Sequence, residues 1–356
     1  MILNIGIIGC EYIGNKRLDL AIGDNRTKVE IVSDIEADRA KKSADIAGCR
    51  STTDWQEVAS DKNIDIIIVS TTNDLLAPIT LEALKSGKHV LVEKPMARNS
   101  AEAAPLVEMA KKKKRVLKVG FNLRFHPAIS KAHQLLREGI MGKPIFARCR
   151  YGHGGRPGYE KEWRSVKEIS GGGELLDQGI HVADLFNWFF GVAEEIVGFN
   201  ACSFWHAEDI EDNGFALLKT DENVITSMHV SCTQWKNLFS FELNGSKGHM
   251  RATGLGGSYG KEQLVIGIGA GKGKPPFETT IEFSNDDVSW QLEWTDFITS
   301  IIDGRSPVGS GEDAYNALRA IDAIYESSAK KEVIVVEGDG VRGQQRKSTM
   351  SSNRNI

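Results

Sequence analysis

Ile2-Leu3-Asn4-Ile5-Gly6-Ile7-Ile8-Gly9-Cys10-Glu11-Tyr12-Ile13-Gly14 stands at the start of the chain. Residues 2–8 are a short, mostly β-branched apolar run, the pattern of a strand buried on both faces. Gly9 to Gly14 then keeps the spacing of the turn that joins such a strand to a helix and seats a dinucleotide pyrophosphate, G-x-G-x-x-G, with Glu11 in place of the middle glycine. Gly9 suits the tight turn and Gly14 suits close helix–strand packing. The middle position normally lets the backbone approach the pyrophosphate. A carboxylate there is unfavourable in shape and charge unless its side chain turns away, so Glu11 is expected to weaken binding relative to glycine.

Working outward, the alternation continues. Val29–Ser33 reads as a second strand ending at Asp34, 20 residues after Gly14. An acidic residue there can bind the adenosine ribose hydroxyls and repel an additional phosphate, which favours NAD over NADP; it could equally cap the next helix. Strands at Cys49–Thr52, Ile64–Ser70, His89–Val92 and Val116–Gly120 alternate with helices at Ala37–Ile46, Trp55–Ala59, Pro78–Ser86 and Ala101–Lys112. Six strands in this rhythm predict a doubly wound parallel sheet, whose ligands bind beyond the carboxyl ends of the strands. Asp34, Thr71, Thr72, Asn73, Glu93 and Lys94 all follow strand ends. The basic run Lys111–Arg115 is read as a solvated helix end favoured by the helix dipole.

With 356 residues the chain is long for a single core, and its 41% hydrophobic and 26% charged residues are ordinary for a globular protein. A net charge of -4 gives no reason to expect nucleic-acid binding. Five scattered cysteines without a C-x-x-C pair suggest neither a disulfide framework nor a zinc site. No apolar run reaches membrane-spanning length, and a cytoplasmic location is expected.

After Gly120 the texture changes. Asn122-Leu123-Arg124-Phe125-His126-Pro127 leads into a helix, and 151–164 is a loop rich in glycine, aromatic and basic residues, with His153, Arg156, Tyr159, Trp163 and Arg164. Gly171-Gly172-Gly173 then opens a stretch to Phe190 that reads as one largely buried helix, with Asp177, His181 and Asp184 on a stripe at i, i+4 and i+7. Alternating runs from Ile196 to Phe283 predict a mostly antiparallel sheet, and 290–302 and 312–330 two amphipathic helices. The expected architecture is an α/β chain. A doubly wound Rossmann domain occupies 1–122, an α+β domain with a large, mostly antiparallel sheet occupies 123–336, and a polar tail covers 337–356.

Three features in one order, namely the strand–Gly9…Gly14–helix unit, Glu93-Lys94-Pro95, and Gly171-Gly172-Gly173…Asp177…His181, resemble the Gfo/Idh/MocA (glucose–fructose oxidoreductase / inositol dehydrogenase) family. The resemblance covers 1–336. It implies a two-domain NAD-dependent oxidoreductase in which Lys94 is the active-site lysine, Asp177 positions substrate and His181 is the general acid/base, with Pro95 in a turn beside the nicotinamide. Candidate cofactor contacts are Gly9, Glu11, Tyr12, Ile13, Gly14, Asp34, Thr71, Thr72, Asn73, Glu93, Lys94, Pro95, Asn122, Trp163 and Arg164. Candidate substrate contacts are Lys94, Arg124, His153, Arg156, Tyr159, Asp177 and His181; no metal is expected. The sequence departs from the family pattern at Glu11, at Thr71-Thr72-Asn73, which lacks a proline before the asparagine, and at Ala77, often histidine. The implied reaction is oxidation of a secondary hydroxyl of a sugar. The basic loop favours an anionic substrate, a nucleotide-linked sugar or a sugar acid. Alternatives are an NAD-dependent glycoside hydrolase using transient oxidation, an inositol dehydrogenase, and a non-catalytic protein with a decayed cofactor site. A homodimer or homotetramer is expected, and oxidation should accelerate with pH as His181 loses its proton.

Overall fold

Strands β1 (Leu3–Ile8), β2 (Thr27–Ser33), β3 (Arg50–Thr52), β4 (Ile66–Val69), β5 (His89–Val92) and β6 (Leu117–Val119) alternate with helices α1 (Tyr12–Ile22), α2 (Ala37–Ala47), α3 (Trp55–Ser60), α4 (Asn73–Lys85) and α5 (Ser100–Lys113). The computed structural model describes residues 2–205, 210–269, 273–284 and 286–336, so the expected tail at 337–356 lies outside the described residues. The strands pair in parallel in the order β3-β2-β1-β4-β5-β6. This is the doubly wound order, and it reverses between β1 and β4, where a crevice opens beyond the strand ends. The β-branched runs are apolar throughout because both faces are covered. Ile5, Ile7, Ile66 and Ile68 face one layer, and Ile8, Ile67 and Val69 the other.

The second half contributes α6 (Pro127–Arg137), β7 (Pro144–Gly152), α7 (Lys167–Ser170), α8 (Glu174–Asp177), α9 (Gly179–Phe190), β8 (Ala193–Ala201), β9 (Asn213–Thr220), β10 (Ile225–Ser231), β11 (Leu238–Gly245), β12 (Gly248–Thr253), β13 (Gln263–Ile268), β14 (Phe277–Glu282), α10 (Ser289–Asp303), α11 (Gly311–Lys330) and β15 (Ile334–Val335). Its nine strands run β14-β13-β12-β11-β7-β10-β9-β8-β15, antiparallel except for β7 with β10. Ile180, Val182, Ala183, Leu185, Phe186 and Phe189 of α9 enter the core beneath one face of this sheet. The other face exposes Phe199, Phe215 and Leu217 around a depression of about 600 Å³.

Two features were not visible in the sequence. The first is that α10 crosses back to the first sheet. Trp294, Phe297 and Ile298 share a core with Ile5, Ile7, Leu18, Val32, Ile66 and Ile68, and the Trp294 indole N–H donates to Asp24 at 3.1 Å. The second is a break in the expected 174–190 helix at Gln178. Lys94 Nζ donates to the Asp177 carbonyl at 2.7 Å, and the His181 amide turns instead to Gln178 O at 3.1 Å. A carbonyl held by an ammonium outside the helix is lost to the helical ladder, and Gly179 makes the interruption cheaper.

Between the two halves lies a buried charge cluster. Arg17 of α1 donates from Nε to Glu93 at 2.8 Å, and its Nη2 lies 2.7 Å from Glu93 and 2.8 Å from Glu293 of α10. Lys118 of β6 lies 3.4 Å from Glu293. Removing one partner of such a buried set leaves uncompensated charge, at a cost of roughly 3–5 kcal/mol. Glu293→Ala is therefore expected to lower the unfolding free energy by about that much in urea titrations; a loss under about 1 kcal/mol would show that the cluster is not bearing the load assigned to it.

Candidate active site

The turn after β1 places Gly9 at φ +96°, a conformation that side chains rarely adopt, and a Cβ there would sit 2.3 Å from Ser70 O. A Cβ on Gly14 would sit 1.9 Å from Gly9 O, so α1 packs against the turn as the fingerprint requires. Tyr12 and Glu11 at the start of α1 are exposed. Asp34 directly follows β2 and accepts from the Cys10 amide at 2.8 Å, binding the glycine turn to the edge of the crevice. Glycine turn, helix start and acidic strand end thus stand in the relation that a dinucleotide needs, and these residues fit NAD: α1 would meet the pyrophosphate and Asp34 the ribose. Glu11 does turn away. Its carboxylate meets Arg39 of α2 at 2.8 Å, while Arg39 Nε donates to Asp34 at 2.9 Å.

At the exit of β4, Thr72 Oγ1 donates to Asp74, and Asn73 Nδ2 donates to Ser170 O at 2.8 Å, tying this loop to the glycine segment. Thr71 Oγ1 stays local, donating to Thr72 O. Glu93 faces Arg17 within the protein, so its part is to hold the Lys94-Pro95 turn, whose peptide bond is cis. Asn122 Nδ2 donates to Ser289 Oγ at 3.0 Å and braces the domain junction.

Lys94 emerges at the carboxyl end of β5 and ion-pairs with Asp177 Oδ1 at 2.6 Å, beside its bond to the Asp177 carbonyl. Arg164, lying over the Trp163 ring, approaches the other Asp177 oxygen at 3.9 Å. Burial alone would raise the Asp177 pKa, but Lys94 and Arg164 outweigh it and hold the carboxyl well below its ordinary range. His181 is 5% exposed, edge-on to Phe121 and Tyr151, and its Nδ1 has no hydrogen-bond partner among the described residues. Burial, then the Lys94 charge, push its pKa well below the usual histidine range, with Asp177 opposing. The imidazole is therefore already a neutral base at neutral pH, which corrects the expectation that it becomes one as pH rises.

Three glycines position this group because nothing larger fits. A Cβ at Gly171 would meet Arg98 at 2.5 Å, at Gly172 the Tyr325 hydroxyl at 2.3 Å, and at Gly173 Glu211 O at 2.0 Å. The buried Glu211 carboxylate accepts from the Gly173 and Leu175 amides and the Tyr325 hydroxyl, closing the start of α8. No local pattern announced Glu211; it arrives from the loop before β9. Glu174 did carry a signal, an acid directly after the glycines in an otherwise apolar stretch. It is completely buried, and among the described residues neither carboxylate oxygen accepts a hydrogen bond of good geometry. His153 accepts the Gly155 amide on Nδ1, which places Nε2 toward Glu174 Oε1 at 3.5 Å. Burial raises the Glu174 carboxyl to about 7 although His153 opposes the shift.

Other expected substrate contacts are placed differently. Arg124 is buried and bidentate to Asp184 at 2.6 and 2.7 Å, so its fork is committed to α9. Arg156 is bidentate to Glu162 at 2.6 Å. Tyr159 is buried against Trp205, with its hydroxyl pKa raised chiefly by burial. Lys94, Asp177, His181, Arg164 and His153 are brought together; Arg124 and Arg156 support their surroundings.

Residues 3–121 match the oxidoreductase family model with an NAD-binding Rossmann fold, and residues 129–251 match the C-terminal domain of the same family. The chain belongs to the Gfo/Idh/MocA oxidoreductases. Among its relatives are levoglucosan dehydrogenase of Pseudarthrobacter phenanthrenivorans, 27% identical over 79% of this chain and 82% of that one, and inositol 2-dehydrogenase/D-chiro-inositol 3-dehydrogenase of Lactiplantibacillus plantarum, 26% identical over 92% of each. A levoglucosan dehydrogenase structure in complex with NADH superposes with a TM-score of 0.87 at 23% identity, covering 95% of this chain and 100% of that one. The superposition covers nearly the whole chain, so the likeness in fold extends to both sheets.

Glu174 generates a test of the site's burial. Between its ordinary value of 4.5 and about 7 the native chain holds a proton that the unfolded chain releases, so this group's contribution to stability is lost as pH rises through that window. The full effect is on the order of 3 kcal/mol. Glu174→Gln is expected to raise the melting temperature more at about pH 8 than at about pH 5. An equal gain at both pH values in thermal scans would contradict it.

Proposed function

We propose that this enzyme oxidises a secondary hydroxyl of a neutral cyclic polyol, a cyclitol or an anhydro-sugar, with NAD as the acceptor. The observation that carries the reading is the composition of the inner wall: Asp177, Glu174, His153 and His181 surround Lys94, while both guanidinium groups of the 151–164 loop face carboxylates of the protein itself. Such a wall offers hydroxyl groups several acceptors and donors, while the loop guanidinium groups that would meet the phosphates of a nucleotide-linked sugar, the substrate first suggested by the basic loop, already face carboxylates of the protein. The named relatives act on levoglucosan and inositols, which supports the same class.

When bound, NAD supplies the hydride acceptor. The chain supplies the rest. His181, neutral and with Nδ1 unpartnered, takes the hydroxyl proton as the carbon–hydrogen bond breaks. Lys94 holds the same oxygen and stabilises its developing charge. Asp177 fixes the ammonium at 2.6 Å and sets the position of that oxygen. Glu174 and His153 bind a second hydroxyl, which gives a buried carboxylate, met in the chain by His153 at 3.5 Å, a closer hydrogen-bond donor.

The reading is tested with myo-inositol, levoglucosan, glucose and a nucleotide-linked uronate, following nicotinamide absorbance and product mass. Turnover of a neutral polyol is expected. Preference for the uronate would favour the anionic reading. His181→Ala and Lys94→Ala should each lose at least about 100-fold in kcat, and Asp177→Asn chiefly raise KM. Near-wild-type turnover by His181→Ala would remove the proposed base. A second copy of the chain is proposed to cover Phe199, Phe215 and Leu217 on the open sheet face. Light scattering is expected to show an oligomer that Phe215→Glu splits; a wild-type monomer at micromolar concentration would remove this part.

A further inference from the structure

The residue that least suits a dinucleotide site is Glu11, in the middle of the fingerprint. Its side chain turns toward α2 and accepts from Arg39 Nη1 at 2.8 Å. Asp34 holds the other end of the same guanidinium, accepting from Nε at 2.9 Å, and also accepts from the amides of Cys10 at 2.8 Å and Glu36 at 2.9 Å. Asp34 is nearly buried, whereas Arg39 and Glu11 are open to solvent, with side-chain exposures of 40% and 63%. The three groups stand where the ribose end of a dinucleotide would lie, and sum to a net charge of -1.

An arginine beside this acidic position is the usual means of accommodating a 2′-phosphate. A guanidinium binds phosphate through two adjacent nitrogens, along its side edge or its end. Here each edge has one nitrogen already committed: Nε on the side to Asp34, and Nη1 at the end to Glu11. Of the two clamps, Asp34 is fixed by two backbone amides and serves the ribose in any case. Glu11 is the removable one. Without it Arg39 would present its whole end edge to a 2′-phosphate, and the local charge would rise from -1 to zero.

We propose that Glu11 is a cofactor-specificity residue that excludes NADP by occupying Arg39. This rests on residues 3–121 binding NAD. It also reverses the meaning of the missing glycine: the carboxylate is directed at α2, away from the pyrophosphate path, and its function lies at the far end of the dinucleotide.

The test is direct binding of NADH and NADPH to the full chain by calorimetry, using wild type, Glu11→Ala, Glu11→Gln and the double variant Glu11→Ala/Arg39→Leu. Wild type should prefer NADH by roughly 100-fold or more. Glu11→Ala should tighten NADPH about tenfold or more while NADH stays within about threefold. Glu11→Gln, which keeps an acceptor but loses the charge, should fall between. Adding Arg39→Leu should abolish the NADPH gain, because that gain needs the guanidinium. Wild type binding NADH and NADPH alike, no NADPH gain in either single variant, or a gain that survives loss of Arg39, each overturns the proposal while leaving the NAD reading intact. Binding of neither dinucleotide by wild type overturns both.

Discussion

The buried guanidinium of Arg17 is the contact on which the site's construction depends. It is enclosed by Glu93 at the end of β5 and Glu293 of α10, and Lys118 approaches Glu293 from the next strand. Two acids and two bases withdrawn from water are stable only as a complete set. One consequence is positional. Glu93 immediately precedes Lys94, so the turn that projects the lysine is anchored by an ion pair inside the protein. Gly120 belongs to the same requirement, since a Cβ there would stand 2.6 Å from a Glu93 oxygen.

A second buried pair does comparable work beneath the site. Arg124 and Asp184 fix α9 from below, and Lys94 and Asp177 meet above it in a partly solvated setting. These two pairs take up the two acids of the stripe Asp177, His181 and Asp184, and among the described residues His181 Nδ1 is left without a hydrogen-bond partner. Lys94 also draws the Asp177 carbonyl out of the helix, so the break at Gln178 and the placement of the acid are one event.

Much of this was legible in the sequence, for identifiable reasons. Both-face burial gives β1 and β4 their continuous apolar runs, and the strand–glycine–helix junction has a fixed spacing, so the first sheet could be read almost strand by strand. Lys94, Asp177 and His181 sit in short motifs whose order survives. The remainder depends on distant partners that no local pattern encodes. Glu211 reaches Gly173 across 38 residues, and α10 meets a sheet that begins almost 300 residues earlier. The state of the basic loop was not legible either, because charge counted along a chain does not reveal pairing: Arg156 is answered by Glu162, six residues on. Glu11 looked like damage to the fingerprint for the same reason, since Arg39 lies on another helix.

The return of α10 also orders events during synthesis. Six strands and five helices are complete by residue 119, yet the face carrying Ile5, Ile7, Ile66 and Ile68, covered by α1 and α2 in part, lacks the rest of its cover until Trp294, Phe297 and Ile298 leave the ribosome. Arg17, too, has only one of its two carboxylates until then. The nascent first domain must therefore wait with an apolar face and a half-neutralised charge while about half of the chain is still being made. A face of this kind is the surface that chaperones engage and that aggregation exploits.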